Sequence, residues 1–315
     1  MSESTEASAA ESDTPATEDD AATAAPDTRS AIEGKGPATV GEIDPEAESD
    51  VERAARETPP GRPLRVDDLR KEFGGLTAVD GASFDVEEGS LTGLIGPNGA
   101  GKSTTFNCIT GVHTPTSGSV HLYNEEITGL RPHEIADRGL VRTFQIAREL
   151  GDMTVLENML LAPKAQRGEA LWRSVLPGAR QSVRAQEREL RERAWETLEF
   201  FEIDHLAEEY AGNLSGGQRK LLEMARALLT DPEVVLLDEP LAGVNPTLEE
   251  KLLDRIHELR KQGYTFLLVE HDMDVIMDNC ERIIVMHRGR VLADDAPAAI
   301  KENEEVIEAY LGANV

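Results

Sequence analysis

The stretch Gly96-Pro97-Asn98-Gly99-Ala100-Gly101-Lys102-Ser103-Thr104 constrains this chain more than any other. It follows the apolar run Leu91–Ile95 and leads into Thr105–Ile109. The pattern predicts a glycine-rich loop between a buried strand and a helix. Gly-x-x-x-x-Gly-Lys-Ser in that setting is the sequence form of a phosphate-binding loop. Glycine permits positive φ and lets backbone approach a ligand closely. Successive N–H groups and the helix N-terminus then face an anion. Lys102 supplies a point charge for β- and γ-phosphates, and the Ser103 hydroxyl is placed to ligate Mg²⁺.

Two further apolar runs carry polar residues at their ends. Val234-Val235-Leu236-Leu237 is closed by Asp238, Glu239 and Pro240. A continuous apolar run suits a parallel strand covered on both faces. Carboxylates at its C-terminal end fall where α/β sheets bind ligands. Asp238 is placed to hold Mg²⁺ directly or through water, and Glu239 to polarise a water. Thr265–Val269 ends in Glu270-His271-Asp272, and Arg282–Met286 reads as one more strand. His271 has the same placement as the carboxylates, although a lone histidine is more often structural.

The rest of the chain surrounds this core. Leu64–Leu69, Gly81–Val86 and Gly118–Tyr123 alternate polar and apolar residues and read as a small antiparallel sheet. Phe73 follows the first of these, where it serves equally as a stacking platform or a core side chain. Residues 140–145 form an apolar run ending in Gln145, and Met153–Leu161 is apolar at helical spacing. Residues 163–183 contain Pro163, Gly168, Pro177 and Gly178 and read as a broken connection. Residues 184–200 read as a charged helix with Leu190, Ala194, Leu198 and Phe201 on one face. Leu214-Ser215-Gly216-Gly217-Gln218 then leads into an amphipathic helix, Arg219–Leu229, which stops before Pro232. Its Ser-Gly-Gly start is a second N-terminus suited to an anion.

Charge narrows the partners. Of 315 residues, 60 are acidic and 32 basic, a net charge of -28. Residues 1–60 hold 16 acidic and 4 basic side chains, so they carry -12 and the remaining 255 carry -16. No nucleic-acid partner is expected, because such a protein should present a basic face. The 1–60 segment is rich in Ala, Glu, Asp, Ser, Thr and Pro, and is expected to be a disordered acidic tail. A folded body this negative repels itself in dilute buffer. At about 1 M salt the Debye length falls to about 3 Å and the repulsion largely vanishes, so a salt-adapted organism is expected. Two cysteines, Cys108 and Cys280, in elements expected to be buried, fit a reducing cytosol. No apolar run is long enough to span a membrane, and the N-terminus lacks the pattern of a secretory signal.

Taken together these residues resemble the ATP-binding subunit of ABC transporters, over about residues 64–315. Gly96–Thr104 looks like the Walker A loop and Gln145 like the Q-loop glutamine. Leu214–Gln218 matches the ABC signature in full. Val234–Pro240 looks like Walker B, and His271 like the switch histidine. The resemblance implies a RecA-like P-loop core, a small antiparallel β subdomain and an α-helical subdomain, about residues 146–215, within a domain spanning 61–315. It implies ATP and Mg²⁺ as ligands, with Ser103, Gln145 and Asp238 at the metal.

In this family two subunits, identical or not, sandwich two nucleotides head-to-tail. Each site joins one subunit's Gly96–Thr104 equivalent to the other's signature. Ser215 and Gly217 are then expected on the γ-phosphate of the partner's ATP, with Gly216 and Gln218 also in that nucleotide site. Phe73 is expected on adenine, Glu239 as general base and His271 at the γ-phosphate, with Gln145 completing the catalytic set. Asn245 stands in Leu241–Asn245 where many relatives have aspartate; it retains the capacity to cap a helix at Pro246.

Phe73-Gly74-Gly75-Leu76, Val269–Met273 and Glu305–Gly312 are similar to importer ATPases for branched-chain amino acids. The resemblance thus implies transmembrane permease subunits as partners, an extracytoplasmic binding protein indirectly, and a place on the cytoplasmic face of the membrane. Residues Ile146–Leu161 are expected in the groove that receives a permease helix. Related ATPases for urea, amides or lipid export share much of this pattern. A soluble ABC ATPase is the rival reading; it is disfavoured by the single ATPase unit and the absence of sustained heptads.

Overall fold

The computed structural model describes residues 61–143, 150–163 and 177–311, excluding the side chains of 177–183 and 311. Among them, two sheets form. The first is antiparallel, built from β1 (Leu64–Phe73), β2 (Leu76–Val86), β4 (Ser117–Leu122) and β5 (Glu125–Glu126) in the order β2-β1-β4-β5. The second contains β3 (Leu91–Ile95), β6 (Leu140–Arg142), β7 (Val234–Asp238), β8 (Thr265–Val269), β9 (Arg282–His287) and β10 (Arg290–Asp295). Its order is β10-β9-β3-β8-β7-β6, parallel except for the antiparallel edge strand β10.

The continuous apolar runs are explained by burial on both faces. Successive side chains of a strand point to opposite faces. Val234 and Leu236 enter one core, with Leu94, Leu267, Ile284, the antiparallel sheet and Phe106, Cys108 and Ile109. Val235 and Leu237 enter the other, with Ile95, Leu268, Ile283 and the helices of the opposite face. Each such fully buried side chain contributes about 1.5–3 kcal/mol relative to exposure, so a charge at any of these positions would break the layer.

The helices are α1 (Lys102–Ile109), α2 (Pro132–Asp137), α3 (Val155–Leu160), α4 (Pro177–Phe200), α5 (Gly216–Leu228), α6 (Pro246–Lys261), α7 (Met273–Asn279), α8 (Pro297–Glu302) and α9 (Glu304–Leu311). Their starts follow capping chemistry. Thr154 and Ser215 form capping boxes with Glu157 and Gln218. Asn245 Oδ1 accepts from Leu248 N at 3.0 Å with Pro246 at the first helical position, the cap expected of it.

Two expectations are corrected. Phe73 ends β1 rather than following it, and at 42% exposure it is not a core residue. The charged helix begins at Pro177, seven residues early, because proline is tolerated in a first helical turn. The elements β5, β10, α2, α7, α8 and α9 were not anticipated. Ala194, Leu198 and Phe201 are buried as the helical spacing predicted, Leu190 on the same face is half-buried, and both cysteines are buried.

Candidate functional site

Strands β3, β8 and β7 are neighbours, so the loops at their C-terminal ends meet at one edge of the sheet. Gly96 leaves β3 with φ 151°, and a Cβ there would lie 2.1 Å from the Met286 carbonyl oxygen. Gly101 caps α1 with φ 105°, where a Cβ would lie 2.6 Å from the Ala78 oxygen. Only glycine fits either position. No side chain caps α1 and its first turn holds no acidic residue, so its N-terminal N–H groups face outward as an anion site.

Lys102 is 6% exposed, and its Nζ donates to the carbonyls of Gly96 at 2.5 Å and Pro97 at 3.3 Å. Burial pulls its pKa below the ordinary lysine value, against the opposing pull of Glu239. A buried ammonium beside an uncapped helix start is a donor set that fits a polyphosphate. Ser103, in the same turn, is exposed. Pro97, Asn98, Gly99, Ala100 and Thr104 complete the loop, with Ala100 N closing onto Pro97 O at 3.0 Å.

At the end of β7, Asp238 is buried and its Oδ2 accepts from Arg142 Nη2 at 2.5 Å. Arg142 also donates to Asn107 Oδ1 of α1 at 2.7 Å and lies over the Phe106 ring. One guanidinium thus joins β6, α1 and β7. The hydroxyl of Ser103 and the carboxylate of Asp238 are hard oxygen donors of the kind magnesium takes, so these residues fit that ion.

Glu239 follows with φ 50°, a left-handed conformation uncommon for a non-glycine residue. Its Oε1 lies 2.6 Å from His271 Nε2, and its backbone oxygen accepts from Lys220 Nζ at 3.2 Å. Behind them Glu270 is buried. Its Oε1 accepts from Leu241 N at 2.9 Å and its Oε2 from His271 N at 3.3 Å. Burial raises its pKa; the two backbone bonds oppose the rise, and the charge of Glu239 adds to it.

The structure therefore brings Lys102, Asp238, Glu239 and His271 to one sheet edge. Gln145 lies outside the described residues. Ser215 and Gln218 bond each other in the α5 capping box, with Ser215 and Gly216 exposed and Gly217 buried. A Cβ on Gly217 would fall 1.9 Å from Leu248 Cδ2, so glycine here also lets α5 pack on α6. Phe73 meets the His113 ring edge-on at 5.2 Å, and Lys71 Nζ lies 4.9 Å from its centroid.

Arg142, Asn107, Glu270 and Lys220 were not singled out from sequence. Glu270 had a signal: it also follows an apolar strand, the ground on which His271 was chosen. Arg142 had one too, as a charge inside an apolar run.

Comparison with known proteins decides the family. A family model described as "ABC transporter" matches residues 79–242, about half the chain. A probable branched-chain amino acid transport ATP-binding protein, LivG of Archaeoglobus fulgidus, is 45% identical over 252 residues. That match covers 79% of this chain and 95% of the relative.

The chain belongs to the ABC transporter ATP-binding subunits.

It is accordingly an ATPase of that family. The high-affinity branched-chain amino acid transport ATP-binding protein BraF of Pseudomonas aeruginosa is 44% identical, the match covering 79% of this chain and 97% of BraF. A second model, "Branched-chain amino acid ATP-binding cassette transporter", matches residues 290–315. The crystal structure of MJ1267 in its ADP conformation, an ATP-binding cassette of an ABC transporter, superposes with TM-score 0.67 at 37% identity. It covers 80% of this chain and 99% of that one. The dimeric bacterial ABC transporter cassette MJ0796 superposes with TM-score 0.61 at 27% identity, over 74% and 98%. Among the described residues of this ABC subunit, no helix is long and apolar enough to cross a membrane.

Proposed function

We propose that this ATPase powers an importer for branched-chain amino acids. The observation that carries the reading is the match of residues 290–315 to the branched-chain amino acid model, in a chain whose Lys102, Asp238, Glu239 and His271 share one sheet edge. In this reading residues 61–315 are the ATPase domain, with a helical subdomain at about 146–215, and residues 1–60 are an acidic tail dispensable for folding.

ATP is the substrate, bound by Gly96–Thr104 with its adenine on Phe73. Ser103, Asp238 and Gln145 would hold Mg²⁺, whose charge would offset that developing on the phosphates. Lys102 moves its donors from its own loop carbonyls to phosphate oxygens. Glu239 accepts the proton of the attacking water, and His271 orients Glu239 and the γ-phosphate. Catalysis is positioning plus charge stabilisation, with no covalent intermediate.

The site is completed by a second ATPase subunit, whose Ser215, Gly216, Gly217 and Gln218 equivalents close on the γ-phosphate. Closure and reopening move the groove beside α3 and α4, apolar at Met153, Leu160, Leu161 and Leu190 and carrying both Glu157 and Glu187 and Arg184, Arg188 and Arg191. There a permease helix docks, and the subunit is held on the cytoplasmic face of the membrane. An extracytoplasmic binding protein delivers the cargo to the permease. The charge of -28 points to adaptation to high salt, where self-repulsion is screened.

Co-expression with candidate permeases and reconstitution into vesicles tests the reading. ATP inside should drive uptake of leucine, isoleucine or valine in the presence of the binding protein. Uptake of urea or short amides in their place would assign the cargo to a sister group.

A further inference from the structure

We infer that Glu270 is a positioning residue: its two carboxylate oxygens tie the loop after β7 to His271 and so hold Glu239 in the geometry that turnover requires. The inference rests on the roles of Glu239 and His271 proposed above and extends them to a residue that touches no substrate.

Paired strands β7 and β8 end at Asp238 opposite Val269. Beyond them, backbone and side-chain bonds continue the lacing. Glu239 N donates to Val269 O at 2.9 Å. Pro240 has no N–H to give. Leu241 N donates to Glu270 Oε1 at 2.9 Å. Every N–H between Glu239 and Leu241 is therefore spent on the continuation of β8. On that side His271 N donates to Glu270 Oε2 at 3.3 Å, while its ring meets Glu239 at 2.6 Å. A closed circuit results: Glu239, Leu241, Glu270, His271 and back to Glu239.

The circuit explains two costs. Glu239 sits at φ 50°, a conformation that persists only where its surroundings over-determine it. Glu270 buries a carboxylate near the charge of Glu239, which is unfavourable without compensation. A position that needed only to fill space would be served better by an apolar side chain. The two N–H donors each reach a separate oxygen of this buried side chain, Leu241 N on Oε1 and His271 N on Oε2. Glutamine offers one, and turns its amide N–H₂ toward the second donor. Aspartate has the two oxygens but is one methylene shorter.

The experiment uses the full chain, comparing wild type, Glu270→Gln, Glu270→Asp and Glu239→Gln for ATP affinity, single-turnover hydrolysis and melting temperature. Glu270→Gln should bind ATP within about 3-fold of wild type and hydrolyse it about 10- to 100-fold more slowly, the scale expected of a small misplacement at a reacting centre. Glu270→Asp should fall in the same direction. Hydrolysis at the wild-type rate in Glu270→Gln, beside an inactive Glu239→Gln, overturns the role of Glu270 alone. A joint loss of folding, ATP binding and turnover overturns it too, by assigning Glu270 to the core. Undiminished turnover in Glu239→Gln overturns instead the reading on which the inference rests.

Discussion

Arg142 Nη2 donates to Asp238 Oδ2 at 2.5 Å, and both side chains are nearly excluded from solvent. The pair links β6, the strand before Gln145, to the end of Walker B. Breaking a buried ion pair by removing one partner leaves an uncompensated charge and costs about 3–5 kcal/mol. Arg142→Met should lower unfolding free energy on that scale in denaturant titration. Arg142→Lys should lose less, because it keeps the charge on Asp238 but not the second arm to Asn107 Oδ1. An Arg142→Met protein as stable as wild type would show that the pair is energetically idle.

Gly217 packs where a Cβ would fall 1.9 Å from Leu248 Cδ2. The clashing atom is the tip of a flexible side chain, so Gly217→Ala should destabilise by about 1 kcal/mol, the low end for overpacking. Leu248→Ala removes the clashing tip. The double variant should therefore lose less than the sum of the two single variants in thermal unfolding. Additive losses would place the glycine's requirement elsewhere than against α6.

The burial of Lys102 sets a pH dependence. Burial holds its pKa below the ordinary lysine range, so its charge is lost earlier as pH rises. Phosphate bound beside the ammonium favours the charged form and reverses part of that shift. Binding therefore takes up protons in the window between the lowered pKa and the ordinary lysine range, and ATP affinity should fall as pH rises through it. Isothermal titration across that window measures the slope. A flat affinity would mean that Lys102 does not contact the phosphates.

How much of this was legible in the sequence depended on how local each signal was. Strands β3, β7, β8 and β9 are short apolar runs buried on both faces, and both their existence and their polar ends could be read directly. Loop glycines with special φ, such as Gly96 and Gly101, were legible because no other residue fits them. Arg142 and Glu270 were not singled out, because their meaning lies in partners 96 and 29 residues away. Strand β10 was missed because its residues are half-buried and carry two aspartates, which blurs the apolar pattern. Pro177 misled as a breaker because its effect depends on whether it opens a helix or interrupts one.

Phosphate release by purified full-length wild type and Glu239→Gln in Mg²⁺-ATP shows whether Glu239 is the base in ATP hydrolysis. The variant should bind ATP as wild type does and release phosphate at least about 10²-fold more slowly, as expected when a general base is lost. Equal phosphate release from the two proteins would contradict that role.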